Sequence, residues 1–155
     1  MNVSIRALGW RLDFKRFRIY LYEKYAITKA FIFIGYIPGN ETLYTFLQSV
    51  GYICIFKPTL KVRGKRVKGN VDTELVLHAM IEYQNYDQAI IVSGDGDFFC
   101  LAEYLLKEGK LLRILIPNEH RYSSLLKRLN STNKDALDFI SRLKIQLEYK
   151  KRYSK

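Results

Sequence analysis

The chain has 155 residues, 48% of them hydrophobic and 26% charged, enough to bury one good core and too apolar for a chain disordered throughout. Its net charge of +11 points to a polyanionic partner, nucleic acid before membrane, with a merely soluble basic protein as the plainer reading. Two cysteines, Cys54 and Cys100, lie in apolar surroundings outside any CxxC pair, which argues against a zinc site and a disulfide framework and leaves a single buried pair open.

No run approaches the roughly 18 apolar residues of a membrane helix. The opening "MNVSIRALGWRLDFKRF" lacks the apolar centre of a signal peptide. The expected location is the cytoplasm, with no membrane partner.

Residues 3–8 have short helical character, interrupted at Gly9. Asp13 is then placed to cap "FKRFRIYLYEKY", with Phe14, Phe17, Leu21 and Tyr25 on one face. "AFIFIGYI", residues 30–37, reads as a buried strand. A Pro38-Gly39-Asn40 turn leads into "ETLYTFLQSV", a helix with Leu43, Phe46, Leu47 and Val50 inward and Gly51 at its end. "YICIF" is the next strand. "KPTLKVRGKRVKGN" is a polar basic loop, after which Asn70 is placed to cap a helix over 71–84.

"QAIIVS" follows as a strand. Residues 97–108 form a helix stopped by Gly109, and "KLLRILI" is a strand closed by Pro117. A short helix over 123–129 and a longer one over 134–149 complete the chain. Strands that are apolar throughout and alternate with helices predict an α/β fold with a parallel sheet covered on both faces. The pattern is that of one domain over 1–149 and a basic tail over 150–155.

The stretch "SGDGDFF" places Asp95 and Asp97 just past a strand, with Ser93 as its last residue. Ligands of open parallel sheets bind outside the carboxyl ends of strands, and Gly94 and Gly96 permit a tight turn between the acids. Hard divalent cations want oxygen donors. Asp72 adds a third carboxylate in the first turn of a helix, where the dipole favours negative charge. Two readings stand on these residues alone: a three-aspartate metal site, or a polar turn that caps a helix, a duty that suits Asp97 best.

Sharper motifs fail. Phe99 stands where a dinucleotide fingerprint needs its third glycine. No GxxxxGK[ST] loop is present, and "DGDFFC" lacks the acceptors of an EF-hand. His78 lies inside a helix and His120 in a loop, places where a histidine is more often structural or solvated than catalytic, and no serine stands in a nucleophile elbow.

Lys57, Lys61, Arg63, Lys65, Arg66 and Lys68 occupy one stretch without an acid among them. Such a run is commonly a solvated surface. Here it leads directly to Asp72, and phosphate contacts from Lys61, Arg63, Lys65, Arg66 and Lys68 would add affinity without reading sequence.

"SGDGDF" followed by a helix and "EGK", with "KGNVD" and "IFIGYIPGNETLYTFLQSVGYICIFKP" before it, resembles the NYN domain of the LabA-like group (formerly DUF88) in the PIN-like nuclease superfamily. The likeness spans roughly residues 2–130. It implies a PIN-like three-layer α/β/α sandwich with a central, mainly parallel sheet. It further implies an acidic site holding Mg2+ or Mn2+, and RNA as substrate. By position, Asp72, Asp95 and Asp97 would be the catalytic, metal-binding acids, with Asn2 and Ser93 supporting them from behind.

The family opens with a buried strand ending in an aspartate, soon followed by an asparagine. Asn2 matches that asparagine, so the strand and its aspartate are expected upstream of Met1. Either Met1 is internal to a longer gene, the favoured reading, or the chain is a natural truncation. The leading function is a metal-dependent endoribonuclease hydrolysing RNA phosphodiester bonds. The alternatives are a non-catalytic RNA-binding or regulatory NYN domain and, last, a protein-interaction module. The residues leave the oligomeric state open, a homo-oligomer included.

Overall fold

The computed structural model describes residues 2–57, 61–62, 65–66 and 71–150. In chain order the elements are α1 (Asn2–Arg6), α2 (Phe14–Tyr25), β1 (Phe31–Gly35), α3 (Glu41–Ser49), β2 (Ile53–Lys57), β3 (Lys61–Val62) and β4 (Lys65–Arg66). They continue as α4 (Asp72–Ile81), β5 (Ala89–Ile91), α5 (Phe99–Lys107), β6 (Leu111–Ile116), α6 (Ser124–Thr132), β7 (Leu137–Phe139) and α7 (Lys144–Leu147). The chain divides into two compact units, Phe14–Ala79 and the remainder, Met1–Asp13 with Met80–Lys155.

In the unit Phe14–Ala79, β1 and β2 pair in parallel, from Phe31 opposite Ile53 to Gly35 opposite Lys57. Ala30, Leu47 and Tyr52 form its buried centre, with Phe14, Ile32, Ile34, Val50 and Cys54 packed on it. The β1 residues are half-buried rather than buried as the apolar run predicts. Helix α2 buries Phe17 and Leu21, two of the four positions expected on its inner face. Arg18 straps the unit: its guanidinium donates to the carbonyls of Gly51 at 3.1 Å, Ile27 at 3.1 Å and Thr28 at 2.8 Å. Gly51 ends α3 as expected, at φ +94°, where an L side chain would be strained.

The inner face of α3 differs from the expected one. Tyr44 and Leu47 are buried, whereas Leu43 and Phe46 are 46% and 42% exposed. The Tyr44 hydroxyl decides the matter: it accepts the Ile37 amide at 2.9 Å, so an amphipathic ring satisfies the backbone after β1 where an aliphatic side chain cannot. The basic stretch, expected as a loop, contains an antiparallel hairpin in which Lys61 faces Arg66 and Val62 faces Lys65. His78 packs on Phe33 and Phe31, at ring distances of 5.6 and 6.2 Å, the structural duty expected of it.

In the other unit, β5, β6 and β7 form a parallel sheet with β6 in the middle. Leu111, Ile114, Leu115 and Ile116 of β6 are buried, as are Leu101, Ala102 and Leu105 of α5 and Leu126 and Leu129 of α6. The expected helix over 134–149 is not formed. That segment holds β7, a 3-10 turn (Ile140–Leu143) and the short α7. The free edge of β6 overrides local helical spacing: the Ala136 carbonyl accepts the Ile114 amide at 2.7 Å, and Leu137 to Phe139 run beside Ile114 to Ile116. The Asp13 amide donates to the Leu147 carbonyl at 2.8 Å, tying the two ends of this unit together.

Both cysteines are free. Cys54 is half-buried and burial pushes its thiol up, while Cys100 is exposed. Among the described residues no helix is long and apolar enough to cross a membrane. The predicted α/β class with parallel pairing holds in both units.

Candidate metal centre

Strand β5 ends at Ile91, so Ser93 stands beyond it rather than at its last position. The Ser93 hydroxyl accepts the Asp95 amide at 3.1 Å, and Asp95 Oδ1 accepts the Asp97 amide at 3.1 Å. Asp95 is extended, with φ −85° and ψ 134°, and caps the 3-10 turn Gly96–Phe98 that leads into α5. The capping duty expected of Asp97 thus falls to Asp95, because the 3-10 turn sets the start of helical geometry ahead of Asp97.

The turn is held from two sides. Phe98 is 4% exposed and anchors it in the core. The Ser123 amide donates to the Gly94 carbonyl at 2.9 Å. Any Cβ on Gly96 would lie 2.4 Å from Ser123 Oγ and 3.0 Å from Ser123 Cβ, so only glycine fits without movement. Ser123 is itself fixed, since its hydroxyl accepts the Leu125 amide at the start of α6. The outcome is a rigid turn beyond the carboxyl end of β5 with two exposed carboxylates on it.

Asp72 belongs to the other unit, where it opens α4 and is half-buried. Two residues on, Glu74 takes the Lys57 ammonium at 2.7 Å. That hydrogen bond holds the Glu74 carboxyl below its ordinary range. Sequence reasoning missed this pair; its signal was a second acid in "VDTEL" and the first cation of the basic run.

Of the other expected site residues, Asn2 is the first residue of α1. Lys61, Lys65 and Arg66 lie on the β3–β4 hairpin. Arg63 and Lys68, the capping residue Asn70 and the tail after Lys150 fall outside the described residues.

The family model of the NYN domain matches residues 1–135. The chain belongs to the NYN domain family. This NYN domain therefore stands in the PIN-like nuclease superfamily, consistent with its α/β architecture. A crystal structure of a protein of unknown function from Vibrio parahaemolyticus is similar to it, with a TM-score of 0.68 and 23% identity over 88% of this chain and 82% of that one. At that identity the likeness speaks for the fold alone. No curated protein matches the chain. NYN nuclease domains typically use divalent metals, and the carboxylates on the Asp95–Asp97 turn are the hard oxygen donors that such ions take.

Proposed function

We propose that this NYN domain, of the LabA-like group, is a divalent-metal-dependent endoribonuclease. The observation that carries the reading is the rigid turn presenting Asp95 and Asp97 beyond the carboxyl end of a parallel strand, in a chain of this family. By its place in the family's pattern, Asp72 would be the third carboxylate of the donor set. Mg2+ or Mn2+ bound there would activate a water and neutralise charge on the scissile phosphate. Ser93 fixes the Asp95 amide and the Asp95 carboxylate fixes that of Asp97, so the turn that carries the two acids is preorganised. By the family's pattern, Asn2 would support them. Lys61, Arg63, Lys65, Arg66 and Lys68 bind RNA phosphates without base specificity. Residues 1–149 act as one cytoplasmic domain in this reading.

The test is cleavage of labelled RNA by the purified chain in Mg2+, in Mn2+ and in chelator. Cleavage is expected with metal only, and it is lost in Asp72→Asn, Asp95→Asn and Asp97→Asn. Absence of cleavage with either metal, or full activity in the variants, overturns it. The net charge of +11 also supports a second reading, a non-catalytic RNA-binding domain. That domain would bind RNA with steep salt dependence and never turn it over.

A further inference from the structure

We propose that Tyr36 and Phe56 form a stacking platform for unpaired bases, which makes single-stranded RNA the ligand of the unit Phe14–Ala79. The inference rests on the RNA reading above, not on catalysis.

Three rings meet at the carboxyl ends of β1 and β2. Tyr44, from α3, is 5% exposed, and its centroid lies 4.8 Å from that of Phe56 and 5.8 Å from that of Tyr36. Tyr36 and Phe56 meet edge to face at 6.0 Å. Unlike Tyr44, these two remain 40% and 38% exposed. The backbone fixes their place: the Tyr36 amide donates to the Lys57 carbonyl at 2.9 Å, one step beyond the last β1–β2 pair.

The Tyr36 ring is also held at its tip. Its hydroxyl donates to Glu41 Oε1 at 3.3 Å, and the same carboxylate oxygen accepts the Gly39 amide at 3.0 Å. A ring already fixed loses little conformational freedom when a base covers it. Single exposed aromatics are ordinary on any surface. Two contiguous ones, set edge to face and braced by a buried third at strand carboxyl ends, offer apolar ring surface where parallel sheets bind ligands.

Charge selects the occupant. From Phe56 the chain passes to Lys57 and then to the hairpin bearing Lys61, Lys65 and Arg66. Exposed rings followed in the chain by a run of cations suit a polyanion with exposed π-faces, which is a single nucleic-acid strand. A duplex keeps its bases stacked on one another and has none to offer.

The experiment measures equilibrium binding of the full chain, in chelator, to a labelled RNA of about 12 nucleotides and to its duplex. Tyr36→Ala and Phe56→Ala are each expected to weaken single-strand binding by about 5- to 150-fold, the range for loss of one base stack. Duplex affinity and the slope of affinity against salt should stay unchanged, since a ring releases no counterions. Tyr36→Phe should retain binding and Tyr36→Leu should lose it, which separates stacking from greasy contact. Tyr36 lies outside the buried centre, so its variants decide the matter if Phe56→Ala does not fold.

Unchanged single-strand affinity, or an equal loss on duplex, overturns the proposal. So does self-association that Tyr36→Ala abolishes while RNA affinity stays constant, because the patch is then an interface between copies. Ring-dependent binding without cleavage would sink the nuclease reading and leave this one standing. Cleavage with ring-independent binding would do the reverse.

Discussion

The Asp97 amide donates to Asp95 Oδ1 at 3.1 Å, so one of the paired acids builds the turn that the other rides on. The two aspartates are therefore not equivalent, although the sequence presents them as a symmetric pair.

Their substitutions should separate accordingly. Asp95→Ala removes the cap and should cost about 1 kcal/mol in urea denaturation. Asp95→Asn keeps an acceptor for the Asp97 amide and should leave stability within about 0.5 kcal/mol of the parent. Asp97→Asn should likewise be near neutral in stability. Calorimetric titration with Mn2+ should show binding weakened in both Asn variants. An Asp95→Asn protein that binds Mn2+ like the parent would remove Asp95 from the donor set.

Gly96 and Ser123 are coupled sterically. A Cβ at 96 would meet Ser123 Oγ at 2.4 Å and Ser123 Cβ at 3.0 Å, and rotating the hydroxyl relieves only the first clash. Gly96→Ala should destabilise by about 1–3 kcal/mol, the usual range for overpacking. Ser123→Gly alone should cost a few tenths of a kcal/mol as a cap replacement, roughly 0.3. In the double variant the costs should not add, and a denaturation cycle reads the coupling directly. Strict additivity would mean that the turn absorbs the side chain elsewhere.

The alternation of strands and helices was legible because buried parallel strands are apolar throughout, and the Gly51 and Gly109 stops because each sits at positive φ. The turn carrying Asp95 and Asp97 was placed correctly because its signal is local. What escaped depended on partners distant in sequence. Residues 137–139 are a strand only because β6 offers an edge. Tyr44 displaces Leu43 and Phe46 from the inner face of α3 because a backbone amide at Ile37 needs an acceptor. The Tyr36–Phe56 platform is invisible in the sequence for the same reason, since its rings stand 20 positions apart and meet through β-pairing.

The Lys57–Glu74 pair gives the unit Phe14–Ala79 an acid-sensitive contact. The Lys57 hydrogen bond lowers the Glu74 carboxyl from its ordinary value of 4.5. A carboxyl lowered by folding contributes stability that is fully present above 4.5 and is lost as pH falls through the folded value. Glu74→Gln should therefore flatten the acid limb of stability against pH by lowering stability at neutral pH, modestly because the pair is partly solvated, and leaving it unchanged at low pH. An acid limb identical in the variant would assign that limb to other carboxyls.

Lys110 and Tyr83 predict the opposite limb. The Lys110 ammonium donates to the carbonyls of Tyr83 (2.9 Å) and Tyr86, and lies 4.6 and 4.9 Å from the centres of their rings. The Tyr83 hydroxyl donates to Glu108 Oε2 at 3.2 Å. Desolvation, then the hydrogen bonds to Tyr104 and Glu108, push its pKa up to about 12 from 10.0. An acid raised by folding holds its proton more tightly in the native state, so its stabilising contribution is complete below 10.0 and disappears as pH climbs to about 12. Ultraviolet titration should show a late tyrosinate that Tyr83→Phe removes, and that variant should lose stability less steeply at alkaline pH. Lys110→Met should cost about 1.5–3 kcal/mol at neutral pH, because two carbonyls lose a charged donor. If Lys110→Met unfolds no earlier than the parent in urea, water replaces the ammonium at both carbonyls and the lysine is not a structural tie.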